Sequence, residues 1–150
     1  MPVLLWRVSN HASLDGSGGL YASGRWHTRG HPVIYCADHP ATALLETLAH
    51  LEIDVEDRPE RFHILRIEGS NTLSRERIQP GRLGDGWRRD LTLTQRSGDE
   101  WLTSGRSLLL EVPSVLVPET WNVLVNPRHA DAKSLKVAAV YEHVWDKRLL

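Results

Sequence analysis

Residues 32–52, which read PVIYCADHPATALLETLAHLE, decide the fold of this chain because they join a short strand to a helix. Residues 32–36 form an apolar run of strand length. Asp38, His39 and Pro40 then supply a capping acid and a proline suited to a first helical turn, so we expect a helix from there to about Glu52. The apolar residues that recur at helical spacing predict its buried stripe: Ala41, Leu44, Leu45, Leu48 and Leu51.

Glu46 lies off this stripe. At about 100° per residue it shares a helix face with His39, Thr42 and His50. A solvated helix face is the ordinary interpretation of such a glutamate, and spacing alone favours it. The alternative is that this face of the helix lines a ligand-binding site.

The flanking sequence predicts more strands than helices. The predicted strands cover residues 3–8, 61–68, 107–112, 121–125 and 135–141. A second helix is expected over 91–103, although Gly98 weakens it, and residues 10–24 and 70–89 are expected to be loop-rich. Because no regular βαβ repeat occurs, we predict one compact α+β domain over residues 1–150 with a strand-rich mixed sheet and a few helices.

Composition narrows the function classes. The chain has 150 residues, of which 41% are hydrophobic and 25% charged, so it can bury roughly two-thirds of its unfolded surface. A single cysteine fits a reducing compartment, and the absence of a leader or a long apolar run predicts a cytoplasmic protein without a membrane partner. The net charge of −1 argues against direct DNA binding. The eight histidines show no HExxH pattern and no cysteine partner, so no metal site is expected.

Several short blocks occur together along the chain. They are Trp6-Arg7, Ser23-Gly24-Arg25-Trp26-His27, Gly30-His31-Pro32-Val33-Ile34-Tyr35, Leu45-Glu46-Thr47-Leu48-Ala49-His50-Leu51, Gly98-Asp99-Glu100-Trp101-Leu102, Val112-Pro113-Ser114 and Asn122-Val123-Leu124-Val125-Asn126-Pro127-Arg128-His129. In this order they resemble the RES domain family over essentially the whole chain. A set of ordered blocks is more specific than any single motif.

The resemblance implies a fold similar to that of ADP-ribosyltransferases and a role as the toxin of a toxin–antitoxin pair. RES proteins break down NAD+ by hydrolysis or phosphorolysis, and at least one modifies a protein by ADP-ribosylation. The resemblance therefore implies NAD+ as substrate, no separate cofactor, and an antitoxin with an Xre-type helix-turn-helix through which DNA is contacted indirectly.

The same resemblance implies the site residues. The arginine, glutamate and serine that name the family map to Arg7 or Arg25, to Glu46 and to Ser114. We expect Glu46, Arg7 and Ser114 to be catalytic. The residues expected to bind NAD+ are Arg7, Arg25, Tyr35, Ser114 and Asn126.

These residue types suit the chemistry. Cleavage of the nicotinamide–ribose bond expels a neutral leaving group and leaves an oxocarbenium-like sugar, which one carboxylate such as Glu46 can stabilise. Guanidinium groups of Arg7 and Arg25 match phosphate oxygens bidentately. Tyr35 offers a flat face to the nicotinamide ring, with core packing as the alternative. Ser114 either orients Glu46, which we prefer, or contacts the ligand, although an ordinary turn serine is equally common.

Two rival functions remain open from sequence. One is a mono-ADP-ribosyltransferase that needs a protein acceptor, and the other is a catalytically silent partner that acts with the antitoxin as corepressor. Toxicity on expression separates them. The glycine-rich residues 15–24 are a candidate contact for the antitoxin, which unchanged hydrogen exchange in the complex would contradict.

Overall fold

A seven-stranded sheet organises the computed structural model, which describes residues 2–50 and 60–149. Its strands are β1 (Val3–Val8), β2 (Ile34–Ala37), β3 (Arg61–Gly69), β4 (Arg75–Arg77), β5 (Leu109–Pro113), β6 (Trp121–Val125) and β7 (Lys136–Val144). Their order across the sheet is β4-β5-β6-β2-β1-β3-β7. Neighbouring strands are antiparallel except β4 and β5, which are parallel. The predicted α+β class with a mixed sheet is confirmed.

Three α-helices accompany the sheet within the described residues: α1 (Gly18–Tyr21), α2 (Pro40–His50) and α3 (Leu91–Ser104). The predicted helix after β2 is confirmed as far as His50, and its expected last turn lies outside the described residues. Its cap differs from the prediction. The imidazole Nδ1 of His39, rather than Asp38, accepts a hydrogen bond from the backbone N–H of Ala41 at 3.2 Å.

The predicted buried stripe of α2 is wrong in orientation. Ala43 is the buried residue of this helix, whereas Leu45 is 44% exposed and Leu44 and Leu48 are half-buried. The helix packs on β1 and β2 through its small side chains, and the same face carries Glu46. The glutamate therefore faces the cavity, whereas Leu45 of the predicted stripe is exposed.

Both faces of the sheet are covered. Alternate residues of β6 point to opposite sides, so that Val123 and Val125 belong to one buried cluster and Leu124 to another. The second cluster is built around three tryptophans, Trp26, Trp87 and Trp101. These side chains pack α3 and the turn at residues 24–28 against the sheet.

Two short elements were not predicted, and the predicted second helix is confirmed. The short strand β4 lies in the segment predicted to be polar loop, and α1 lies in the predicted glycine-rich loop. Helix α3 runs through Gly98, which was expected to weaken it. A Cβ at Gly98 would lie 1.6 Å from the carbonyl oxygen of Trp26, so this glycine permits a close approach between the helix and the turn.

Candidate active site

A cavity of about 730 Å³ lies against the central strands β1, β2 and β6. This volume is within the usual range for sites that hold small molecules and cofactors. The side chains that matter for its chemistry are Arg7, Arg25, His27, Tyr35, Glu46, Thr47, His50 and Asn122. The structure therefore brings four of the predicted site residues together: Arg7, Arg25, Tyr35 and Glu46. A second, more open depression of about 710 Å³ runs along α3 and contains none of the predicted residues.

Ser114 holds the Glu46 carboxylate in place. Its hydroxyl donates a hydrogen bond to Glu46 Oε1 at 2.5 Å. The Ser114 hydroxyl oxygen in turn accepts the backbone N–H of Leu116 at 3.1 Å and that of Val117 at 3.3 Å. The serine side chain is buried and its hydrogen bonds are satisfied, so it orients Glu46 and leaves the other carboxylate oxygen for a ligand.

The two arginines enter the cavity from different elements. Arg7 stands on β1, while Arg25 belongs to the turn that precedes β2. Within residues 2–50 and 60–149 neither guanidinium forms an ion pair with a carboxylate, and Arg25 donates one hydrogen bond, at 3.3 Å, to the carbonyl of Arg88. The described lining thus holds two guanidinium groups and one carboxylate, which favours an anionic ligand.

Tyr35 and the buried His27 line the cavity side by side. Its hydroxyl is 2.6 Å from His27 Nδ1 and accepts the backbone N–H of Trp26 at 3.1 Å. The other ring nitrogen of His27, Nε2, is 2.8 Å from the carbonyl oxygen of Ala22. Because that carbonyl can only accept, Nε2 carries the proton and Nδ1 accepts from Tyr35. Burial raises the pKa of Tyr35 far above its ordinary value, so the phenol keeps its proton.

Helix α3 fixes the turn that carries Arg25. Thr94 Oγ1 donates to the carbonyl of Arg25 at 2.7 Å, and Gln95 Nε2 donates to the carbonyl of Gly24 at 3.0 Å. Further along the helix, Asp99 accepts hydrogen bonds from the backbone and hydroxyl of Thr28 at 2.9 and 2.6 Å. These bonds hold the turn in position whatever occupies the cavity.

The structure corrects the prediction for Asn126. This side chain is buried away from the cavity, and its amide donates to the carbonyl of Leu102 at 3.1 Å. Its oxygen accepts the backbone N–H of Arg128 at 3.1 Å. Asn126 therefore stabilises the turn after β6 and is not part of the cavity lining. Ser114 likewise reaches the site through Glu46 and does not line the cavity.

Sequence reasoning missed four polar side chains of the lining. His27 stands two residues after Arg25, and Asn122 opens β6. Thr47 and His50 follow Glu46 on α2. A signal was available for all four, since each falls inside one of the blocks that carried the resemblance.

In residues 2–50 and 60–149 there is no group of three or more histidine, cysteine, aspartate or glutamate side chains placed to hold a metal ion. Over the same residues, the structure contains no helix with the length and hydropathy that a membrane span requires.

The chain belongs to the RES domain family, whose model matches residues 4–146. Two relatives illustrate this membership along the whole length. Toxin Res of Pseudomonas putida is 46% identical over 147 residues, which span 98% of this chain and 99% of the relative. The Prs ADP-ribosylating toxin of a Sphingobium strain is 34% identical over 160 residues, which span 100% and 98% respectively.

A solved structure has the same fold. A chain in the crystal structure of the M. tuberculosis MbcT–MbcA toxin–antitoxin complex superposes with a TM-score of 0.75. The match covers 96% of this chain and 85% of that one, at 15% sequence identity. At this low sequence identity, the match establishes a shared fold and nothing further.

Proposed function

We propose that this protein is the toxin of a toxin–antitoxin pair and that it cleaves NAD+ at the nicotinamide–ribose bond. The relative from P. putida is named as a toxin, and the relative from Sphingobium is named as an ADP-ribosylating toxin, an activity that uses NAD+. The observation that carries the proposal is the Glu46 carboxylate, held by Ser114 in a cavity that also contains two arginines.

The charges of the cavity match the substrate. NAD+ has a pyrophosphate with two negative charges and a nicotinamide ring with one positive charge. Arg7 and Arg25 would bind the pyrophosphate oxygens through their guanidinium forks. Tyr35 would lie against the nicotinamide ring, and Glu46 would lie against the ribose next to it.

The reaction then needs little proton transfer. The bond between nicotinamide N1 and ribose C1′ breaks, and its electron pair leaves with the ring as neutral nicotinamide. The free oxygen of Glu46 accepts a hydrogen bond from a ribose hydroxyl and stabilises the positive charge that develops on the sugar. Water or phosphate adds through oxygen at C1′ and, in the case of water, releases a proton to solvent. The products are ADP-ribose or its phosphate ester.

The direct test is NAD+ loss by the purified chain, with and without inorganic phosphate, beside Glu46→Gln. We expect Glu46→Gln to reduce the rate by at least about 100-fold, since it removes the stabilising charge while it keeps the shape. Glu142→Gln is the matched control, because Glu142 lies on the edge strand β7 and pairs with Arg61 at 3.3 Å, away from the cavity. Equal rates for wild type and Glu46→Gln would refute the proposal. A phosphate requirement would identify phosphorolysis.

A second candidate function is mono-ADP-ribosylation of a protein, which the name of the Sphingobium relative favours. Here a side chain of the target would attack C1′ in place of water or phosphate. Purified enzyme alone would then consume NAD+ slowly, and isotope from labelled NAD+ would appear on one protein of a cell extract. If no extract protein is labelled while free NAD+ is consumed rapidly, the second candidate fails.

The proposal includes a partner and a place of action. We expect a cognate antitoxin with an Xre-type helix-turn-helix to neutralise the chain and to make the only DNA contacts of the complex. Because NAD+ is a metabolite of the cytoplasm, we expect the activity there. Co-expression of the chain with its antitoxin should restore growth and yield a stable complex. Growth arrest that persists when each neighbouring reading frame is co-expressed in turn would contradict this assignment.

A further inference from the structure

His27, the buried histidine that is hydrogen-bonded to Tyr35, has no role in the reaction proposed above. His27 is 3% exposed, yet both its ring nitrogens make short hydrogen bonds. Its ring centroid lies 5.5 Å from that of Tyr35. A buried polar side chain with two directed partners defines the position of its neighbours better than an apolar side chain would.

The hydrogen bonds form a chain with one direction. His27 Nε2–H donates to the carbonyl of Ala22, Tyr35 donates its hydroxyl hydrogen to His27 Nδ1, and the N–H of Trp26 donates to the Tyr35 oxygen. Each atom in this chain has one assigned role. The phenol ring of Tyr35 is thus tied at its tip to two points of the turn that carries Arg25.

Close packing brings the phenol and the imidazole together beside Gly24. A Cβ at Gly24 would lie 2.6 Å from the Tyr35 hydroxyl and 3.0 Å from the His27 ring. Glycine therefore gives the space in which these two side chains meet. The conformation of Tyr35 depends on an acceptor at the position of His27 Nδ1.

We propose that His27 is a positioning residue for NAD+ cleavage: as the Nε2–H tautomer it accepts the Tyr35 hydroxyl hydrogen and so fixes the ring that lies against nicotinamide. This inference rests on the proposed function. Arg25 is held separately by Thr94 and Gln95, so loss of His27 should disturb Tyr35 more than Arg25.

The charge state of His27 adds a readout. Burial lowers the pKa of His27 below its ordinary value of 6.5. Two titratable groups outside the tyrosine face it: the charge of Asp99 on α3 raises this pKa, and the charge of His31 lowers it. On the side of α1, Gly19 and Ala22 present backbone oxygens. Protonation at low pH would turn Nδ1 into a donor and break its bond with the Tyr35 hydroxyl.

The experiment compares kcat and KM for NAD+ in four proteins: wild type, His27→Leu, His27→Asn and His31→Asn. His27→Leu fills similar space without an acceptor and should lower kcat about tenfold, with KM changed less than about threefold. His27→Asn can place an oxygen near the position of Nδ1 and should recover most of kcat. His31→Asn is the control outside the cavity and should match wild type in kcat and KM at neutral pH; because the charge of His31 lowers the pKa of His27, its acid loss of kcat should begin at a higher pH than in wild type.

The pH profile separates positioning from mere folding. Wild type and His31→Asn should lose kcat as the pH falls below 6.5, whereas His27→Asn should lack this loss down to the range in which carboxylates titrate. Should His27→Leu fail to fold, the comparison of His27→Asn with wild type still decides. Equal kcat in His27→Leu and wild type, or the same acid loss in His27→Asn, would overturn the inference. Absence of NAD+ cleavage by wild type would instead overturn the proposed function, and the inference with it.

Discussion

Ser114→Ala tests whether the serine acts on catalysis through Glu46. The substitution removes a hydrogen bond to a carboxylate, and bonds of this kind contribute about 1.5–3 kcal/mol. If that free energy serves to hold Glu46 in its reactive position, kcat should fall by about 10- to 150-fold. KM should change little, because Ser114 does not line the cavity.

The effect on stability should be smaller than the effect on rate. The variant leaves the backbone N–H groups of Leu116 and Val117 without their acceptor. Their side chains are 44% and 37% exposed, so water can reach this loop, and we expect a loss of about 1 kcal/mol in the free energy of unfolding.

The assay is steady-state NAD+ cleavage together with urea unfolding of the same preparations. Ser104→Ala is the matched control. The Ser104 hydroxyl likewise donates one hydrogen bond, here to the carbonyl of Trp101, and accepts a backbone N–H, that of Arg106, but it lies outside the cavity. A kcat for Ser114→Ala within twofold of wild type, in a preparation where Glu46→Gln is inactive, would refute the positioning argument.

Three further predictions concern other parts of the fold. Gly98→Ala should lower the free energy of unfolding by about 1–3 kcal/mol in urea titrations, because its Cβ would collide with the carbonyl of Trp26. Arg25→Lys should raise the KM for NAD+ about tenfold in steady-state kinetics with a smaller change in kcat, because lysine cannot form a bidentate contact with the pyrophosphate. Glu111→Gln should lower the free energy of unfolding at pH 7, measured by urea titration. Burial raises the pKa of Glu111, but its hydrogen bond with Arg77 at 2.7 Å and the nearby positive charges lower it, and the net result is a pKa below 4.5. A carboxylate whose pKa is lower in the folded than in the unfolded protein stabilises the fold at any pH above its unfolded pKa. The difference in free energy of unfolding between the variant and wild type should therefore vanish as the pH falls through the folded pKa.

Each of these three has a control of the same chemical type. Ser97→Ala changes the neighbouring residue of α3, Arg82→Lys changes an exposed arginine, and Glu142→Gln changes a half-exposed glutamate. The reasoning fails for Gly98 if its variant unfolds at the same urea concentration as Ser97→Ala. It fails for Arg25 if KM stays at the value of Arg82→Lys, and for Glu111 if the stability difference persists at a pH low enough to protonate the Glu111 carboxylate of the folded protein.

The strands were predictable because their residues alternate or form short apolar runs bounded by turns. Trp121–Val125 was predicted with the bounds that the structure has. By contrast, β4 has the sequence Arg-Glu-Arg, and its stability comes from parallel pairing with β5 and from ion pairs of Arg75 and Arg77 with Glu111 at 2.9 and 2.7 Å. Such a strand carries no local hydrophobic signal, so periodicity cannot reveal it.

The site was predictable only through its resemblance to a family. Spacing alone placed Glu46 on a polar helix face and favoured solvent exposure, because helical periodicity does not say which neighbour a polar face meets. The tertiary contact that decides the matter comes from Ser114, 68 residues later in the chain. Asn126 shows the opposite error, since a buried polar residue in a characteristic block stabilises a turn and lies away from the cavity.

Cellular NAD+ after induced expression tests the central claim most directly, because it joins the toxin role to the proposed chemistry. Wild type and Glu46→Gln would be expressed to equal levels, and NAD+ and growth would be followed together from induction. The account predicts that NAD+ falls before growth stops in cells that express wild type, and that neither change occurs with Glu46→Gln. Growth arrest by wild type at undiminished NAD+ would contradict it.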